Sequence, residues 1–332
     1  MKKKEVLISL LFSTLLIVLI EFCSFLIYKP GHLDSINKIL LEDKDKLWKV
    51  KNNYSANFFG EVANTDSDGF RKTTSEERWK TAKIKLAVMG ASPSFGWGVK
   101  DSESYSSLLG EKLPNSVSVK NFSQIGYSSF QGHKLLKEVL KWKPTHIIFT
   151  YVINDLDYYR FFYGQNLHDS EVKTSSANII MIRNFIKELY TPKLILSLFP
   201  KRHVDNSELR KTRVPLKSYL NNYRSMVEIS KKNGIVPILV KFPVNLPTNN
   251  RFKNNKRKEE NSLIAKRSLN YNNELERFSK EKGLQLIDLV KVRDSSKEYL
   301  FLDPNGDTIH PNILGHTLFA EEIFKYLSKN VL

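Results

Sequence analysis

The sequence predicts an α/β protein: a three-layer α/β/α domain on a mainly parallel five-stranded sheet, preceded by one apolar N-terminal helix. Three observations carry this expectation. Short apolar runs recur between segments of helical spacing, the pattern of parallel strands joined by crossover helices. Loops rich in glycine, serine and asparagine follow those runs, at the strand ends where α/β sheets bind ligands. The longest apolar stretch of the chain lies within its first thirty residues.

That stretch reads "MKKKEVLISLLFSTLLIVLIEFCSFLIYKP". Leu7–Tyr28 is apolar apart from Glu21, Cys23 and a few hydroxyls, and as a helix it measures about 33 Å, enough to cross a bilayer. Lys2, Lys3 and Lys4 precede it, which puts the N-terminus in the cytoplasm and the body of the chain on the periplasmic or extracellular side. A cleaved signal peptide is the rival reading, but the apolar run exceeds a signal core and no small-x-small cleavage site follows it. No small residue precedes Cys23, which argues against lipoprotein processing. Residues 1–28 are therefore expected to be a cytoplasmic lysine tail and an uncleaved anchor, with Glu21 near the outer interface.

Residues 29–63, with "LEDKDKLWKVKNN" at their centre, read as a polar stalk. "NTDSDGFR" (64–71) reads as a turn-rich segment at the edge of a domain spanning 64–332. Within the domain, "IKLAVMG" (84–90), "SVSVKNFS" (116–123), "HIIFTYVI" (146–153), "IVPILVKFP" (235–243) and "LQLIDL" (284–289) are the five strand candidates. Between and after them, 104–113, 129–142, 216–234, 262–282 and 313–330 have helical spacing, the third closed by Gly234. An insertion occupies about 158–215.

Lys and Arg number 52 against 35 Asp and Glu, a net charge of +17. A charge of that size suits nucleic acid, anionic lipid or acidic glycan. No RNA-binding signature, zinc-finger spacing or basic zipper accompanies it, so no nucleic-acid partner is expected. The basic stretches "PKRHVDNSELRKTR" and "NNRFKNNKRK" read as solvated loops or as contacts for anionic head groups. Cys23 is the one cysteine, which excludes a disulfide framework and a cysteine-rich metal site. His310 and His316 lack the partners of a zinc pattern, and no Walker or dinucleotide-binding spacing occurs. No cofactor and no metal are expected.

Four loops after strands carry the chemistry-bearing residues. "GASPSFGWGV" supplies Ser92, "NFSQIGYSSFQG" supplies Gly126, "YVINDLD" supplies Asn154, and "FLDPNGDTIHPNILGH" supplies Asp307 and His310. Together they are the parts of an acyl-transfer site. A serine hydroxyl needs a base, His310 can be that base, and Asp307 three residues earlier can orient it. The backbone N–H groups of Ser92 and Gly126 and the Asn154 amide can form an oxyanion hole. His316 is a rival base, one turn inside the last helix where a packing role fits better. Asp155 and Asp303 are rival carboxylates. Ser94 reads as a hydroxyl that stabilises the loop.

The order of these blocks resembles the SGNH (GDSL-like) hydrolases, in which Ser92 matches the nucleophile, Gly126 and Asn154 the oxyanion residues, and Asp307-x-x-His310 the last block. "HPNILGH" and "DSDGFR" are similar to the membrane-anchored bacterial members. The resemblance spans roughly 64–328 and implies a flavodoxin-like fold and a serine esterase or O-acyltransferase. Its substrate would be an acylated envelope glycan or lipid. Two departures stand out. Ala91 replaces the usual Asp of Gly-Asp-Ser, which would loosen the loop, and Val152 replaces the glycine of Gly-x-Asn-Asp, which would narrow the pocket. A non-catalytic glycan-binding or scaffold protein on the same fold is the alternative they leave open.

Overall fold

The structure is a computed structural model and describes residues 3–28, 38–58, 60–156, 162, 167–198, 212–244, 255–303 and 307–332. Helix α1 (Lys3–Ile27) is long and apolar enough to cross a membrane, and its large side chains are exposed. Two antiparallel hairpins follow, β1 (Leu40–Asp43) with β2 (Leu47–Val50), and β3 (Ser55–Phe58) with β4 (Glu61–Asn64). The central sheet begins with β5 (Ile84–Met89) and continues with α2 (Ser92–Phe95), α3 (Tyr105–Lys112), β6 (Val117–Asn121), α4 (Ser129–Val139), β7 (His146–Phe149) and α5 (Ile153–Leu156). The insertion holds α6 (Ala177–Glu188) and α7 (Tyr190–Ser197). The chain then runs through α8 (Leu216–Lys232), β8 (Val236–Lys241), α9 (Asn255–Glu281), β9 (Gln285–Asp288) and α10 (Leu289–Ser295) to α11 (Ile313–Asn330).

The five strands pair in the order β6-β5-β7-β8-β9, every pair parallel. The inner strands β5, β7 and β8 read as near-continuous apolar runs because both faces are covered, whereas the edge strand β6 alternates through Val117, Ser118, Val119 and Lys120. Val117, Val119, Ala87, Val88, Ile147, Ile148, Ile238 and Leu239 are all fully buried. The helices pack in two groups, α3 with α11, and α4 with α8 and α9, giving the three layers expected. Capping fixes their starts. The Ser104 hydroxyl accepts from Ser107 N–H at the head of α3, Ser128 and Gln131 form a capping box on α4, and Asn312 accepts from Gly315 N–H on α11.

Two sequence expectations need correction. The stalk predicted over 29–63 is folded from residue 38 onward. Ile39, Leu40, Trp48, Val50 and Phe58 join the main core, and the charged residues between them take partners of their own. Its four-residue strands are too short and too charged to show an alternating pattern. The "DSDGFR" turn keeps Ser67 and Asp68 exposed but buries Asp66 and Gly69 to Arg71 in the domain. Arg71 is fully buried, its Nε 2.8 Å from Asp101, and Asp66 pairs with Lys120 at 2.5 Å. Of the basic stretch "PKRHVDNSELRKTR" only residues 212–213 are described, and of "NNRFKNNKRK" only 255–258, the start of α9.

Candidate active site

Ser92, Gly126 and Asn154 are placed just after the carboxyl ends of β5, β6 and β7, whereas Asp307 and His310, expected directly after the fifth strand, come after α10 (Leu289–Ser295) and lead into α11. After β5 the chain passes through Gly90, where a Cβ would lie 1.9 Å from Thr150 Oγ1, so only glycine lets the strands end this closely. Ala91 is extended and Ser92 opens the one-turn helix α2. The first N–H of a helix has no intrahelical acceptor, so the Ser92 amide faces outward from the turn. Ala91 O accepts from Ser94 and Phe95 N–H, and Ser94 Oγ lies 2.6 Å from Thr150 Oγ1. Ser94 thus ties the loop to β7.

Residues 301–303 lie antiparallel to 307–311. Leu302 N–H donates to His310 O and Asp303 N–H to Asp307 O, both at 2.9 Å. The Asp307 carboxylate accepts from the N–H groups of Ile309 (3.2 Å) and His310 (3.0 Å) through one oxygen. The other oxygen lies 2.6 Å from His310 Nδ1. Burial pushes the Asp307 carboxyl up, but His310 beside it and the two N–H donors outweigh that and hold it below its ordinary value. His310 Nε2 is 2.8 Å from Ser92 Oγ. With the Nδ1 proton on the Asp307 side, Nε2 has a lone pair for the serine proton. Asp307, His310 and Ser92 therefore form one continuous hydrogen-bonded line across 218 residues of sequence.

The oxyanion candidates sit on the neighbouring loops. Gly126 has φ +75°, a left-handed conformation that favours glycine. Asn154, in the first turn of α5, donates one Nδ2 proton to Tyr127 O at 3.0 Å, which orients its amide against the Gly126 loop. Its second N–H is not used in that bond. The rival residues are engaged elsewhere. His316 is fully buried and its Nδ1 accepts from Tyr105 N–H at 3.1 Å. Burial, with Arg71 and His310 adding to it, lowers its pKa to about 3, so it stays neutral and packs. The buried Asp155 accepts from Ser129 N–H at 3.0 Å and from Ser129 Oγ at 2.5 Å.

The two departures also have structural places. Ala91 forms a small buried cluster with Ile153 and Val244, against which Ile309 packs. An aspartate there would put a carboxylate among aliphatic side chains. Val152, between β7 and α5, is buried in the main core, so its side chain is spent on packing there.

Five supporting residues escaped the sequence reading. Trp48 Nε1 donates to Ile125 O at 2.9 Å. In a trans peptide that carbonyl and the Gly126 N–H point in opposite directions, so Trp48 sets where the Gly126 N–H aims. Tyr127 Oη in turn donates to Trp48 O at 2.6 Å. Arg213, buried with Asp169 at 2.8 Å, donates to Gly126 O at 2.8 Å and lies 5.1 Å over the Trp48 ring. On the other side, Trp97 stacks on His310 at 5.2 Å and Phe58 on Trp97 at 4.1 Å. The hairpins read as a stalk thus buttress both the oxyanion loop and the histidine. Among the described residues no group of three or more His, Cys, Asp or Glu side chains could hold a metal ion.

A model of the GDSL-like lipase/acylhydrolase family matches residues 88–318. Among solved structures, a GDSL-like lipase from Bacteroides thetaiotaomicron is similar at 13% identity and a TM-score of 0.45, covering 78% of this chain and 93% of that one. An acetyl xylan esterase is similar at 14% identity and a TM-score of 0.46, covering 73% and 98%. The psychrotrophic esterase of a Pseudoalteromonas species is similar at 14% identity and a TM-score of 0.43, covering 74% and 98%. No curated protein matches the chain. The family match runs from the end of β5 into α11, takes in all four loops of the site, and spans well over half the residues: the chain belongs to the GDSL-like lipase/acylhydrolase family.

Proposed function

We propose that this chain is a membrane-anchored serine enzyme that cleaves an ester of an envelope glycan or lipid on the extracytoplasmic side, through an acyl-serine intermediate. The observation that carries the reading is the line from Asp307 to His310 to Ser92, at 2.6 and 2.8 Å. His310 Nε2 takes the Ser92 proton as Oγ attacks the ester carbonyl. The oxyanion is held by Ser92 N–H, Gly126 N–H and the second N–H of Asn154. Collapse expels the alcohol, which leaves with the proton from His310, and the acyl group stays on Ser92. His310 then deprotonates an incoming hydroxyl, water for an esterase or a sugar for an O-acyltransferase, and the acyl group departs. Asp307 stabilises the imidazolium in both halves.

Residues 1–28 are the anchor in this reading, with the lysines inside. Length and apolarity of α1 support it. The acyl acceptor is decided by which hydroxyl reaches the acyl-enzyme, so the test supplies both. Short acyl esters are incubated with the full chain, with and without candidate glycan acceptors. Turnover is expected, with acylated glycan appearing if the enzyme is a transferase, and Asn154→Ala is expected to lower kcat by about 10²- to 10³-fold. No turnover and no acyl-enzyme by mass would favour a non-catalytic binding protein.

A further inference from the structure

Helix α6 is amphipathic the wrong way round for a soluble protein. Three of its polar side chains, Arg183, Asn184 and Lys187, face the domain, while Asn178 in the first turn is exposed on the opposite side. The Asn184 amide accepts from Glu42 N–H at 2.8 Å and donates to Glu42 O at 3.0 Å. Arg183 reaches Glu42 Oε1 at 3.1 Å and Lys187 Nζ donates to Leu40 O at 2.7 Å. These bonds satisfy the outer edge of β1. Ile179, Met181, Ile182, Phe185 and Ile186 are then left exposed, and at 100° per residue they fill an arc of about 160°. Ile195, Leu196 and Leu198 of the next helix and its exit are exposed too. A contiguous apolar surface of this kind marks an interaction site.

What covers it is indicated by α1. The head of α7 is bound to the span itself. Glu21 accepts from the N–H groups of Tyr190 and Thr191, the latter at 3.0 Å, and from the Thr191 hydroxyl at 2.8 Å. Thr191 Oγ1 also lies 3.0 Å from the Ser24 hydroxyl, from which it can accept, and Tyr190 packs edge-on against Phe25 at 5.0 Å. The one carboxylate of the apolar run is thus satisfied by the first N–H groups of a helix, where the helix dipole favours negative charge. Glu21 lies six residues, about 9 Å, below the outer end of α1. With α1 in a bilayer, anything bound to Glu21 sits at the depth of the headgroup–acyl boundary, because the hydrocarbon core is only about 30 Å thick.

We propose that α6 and α7 form a second membrane contact, lying in the outer headgroup–acyl boundary with their apolar faces in lipid. The proposal rests on the anchor reading above. Polar faces held by the protein and apolar faces turned outward suit a lipid surface, into which interfacial helices sink by about 5–10 Å. Through Glu42 and Leu40 the contact is joined to the β1–β2 hairpin that carries Trp48.

The test uses the full chain in lipid vesicles, with Cys23→Ser as background and one spin-labelled cysteine at a time. Phe185→Cys and Leu196→Cys probe the proposed contact at positions already exposed, Leu16→Cys probes the span, and Lys329→Cys probes the aqueous side. Collision with oxygen is compared with collision with a water-soluble nickel chelate. Labels at 185 and 196 are expected to show an oxygen-to-nickel ratio severalfold above that at 329, at a depth shallower than 16. A ratio at 185 and 196 equal to that at 329, with 16 still in lipid, would overturn the proposal and leave the anchor standing. Shielding of 185 and 196 from both reagents, with spin–spin broadening, would overturn it in favour of a contact between two copies. An aqueous ratio at 16 would overturn the anchor and the contact together.

Discussion

At the scale of single residues, the geometry separates groups that meet at the candidate site from groups of the same type that hold the fold. Two histidines of the C-terminal segment show this. His310 meets Ser92 and Asp307, whereas His316 is fully buried against Tyr105. Two carboxylates do the same. Asp307 is held ionised by its neighbours, whereas burial pushes the Asp155 carboxyl up to about 7, against the opposing pull of Ser129 and Arg213. The sign of the resulting pH dependence follows from linkage. Asp155 binds its proton more tightly folded than unfolded, so its stabilising effect is complete below about pH 4 and is lost as pH rises to about 7. Denaturant unfolding at pH 5 and pH 8 is expected to show a smaller loss of stability on raising pH in Asp155→Asn than in the native chain. Equal losses in the two proteins would show that Asp155 ionises normally in the fold.

At the scale of elements, legibility followed burial pattern. The five sheet strands and the closing helix were visible because the inner parallel strands are apolar nearly throughout, β6 alternates, and glycines, prolines and asparagines bound them. Three site loops were visible because each follows such a strand; the fourth, which follows α10, was visible through its Asp307-x-x-His310 spacing. The hairpins of 40–64 were not, since "LLEDKDKLWKV" mixes charge with apolar residues over four-residue strands and Lys46 and Glu138 pair only in three dimensions. The insertion helices were not, since their apolar side chains turn outward and several of their polar ones inward. Trp48 was invisible for another reason: its role is a bond to a backbone carbonyl 77 residues away, which no side-chain pattern encodes. Trp48→Phe keeps the ring and removes that donor. It is expected to lower kcat about tenfold with KM little changed, because the Gly126 N–H loses its aim. A loss of thermal stability with kcat unchanged would make Trp48 a packing residue alone.

At the scale of the whole molecule, a family α/β domain is extended at its N-terminal side by two hairpins and an apolar helix, and internally by α6 and α7. These additions touch one another: α1 holds α7, α6 holds β1, and β2 holds the oxyanion loop. The central claim is that this assembly presents Ser92 as an activated nucleophile. Exposing the full chain to a fluorophosphonate and mapping the adduct by mass spectrometry tests it most directly. One adduct is predicted, on Ser92, absent in Ser92→Ala and formed at least about 10³-fold more slowly in His310→Ala. No adduct on folded protein, or an adduct on another serine such as Ser94, would contradict it.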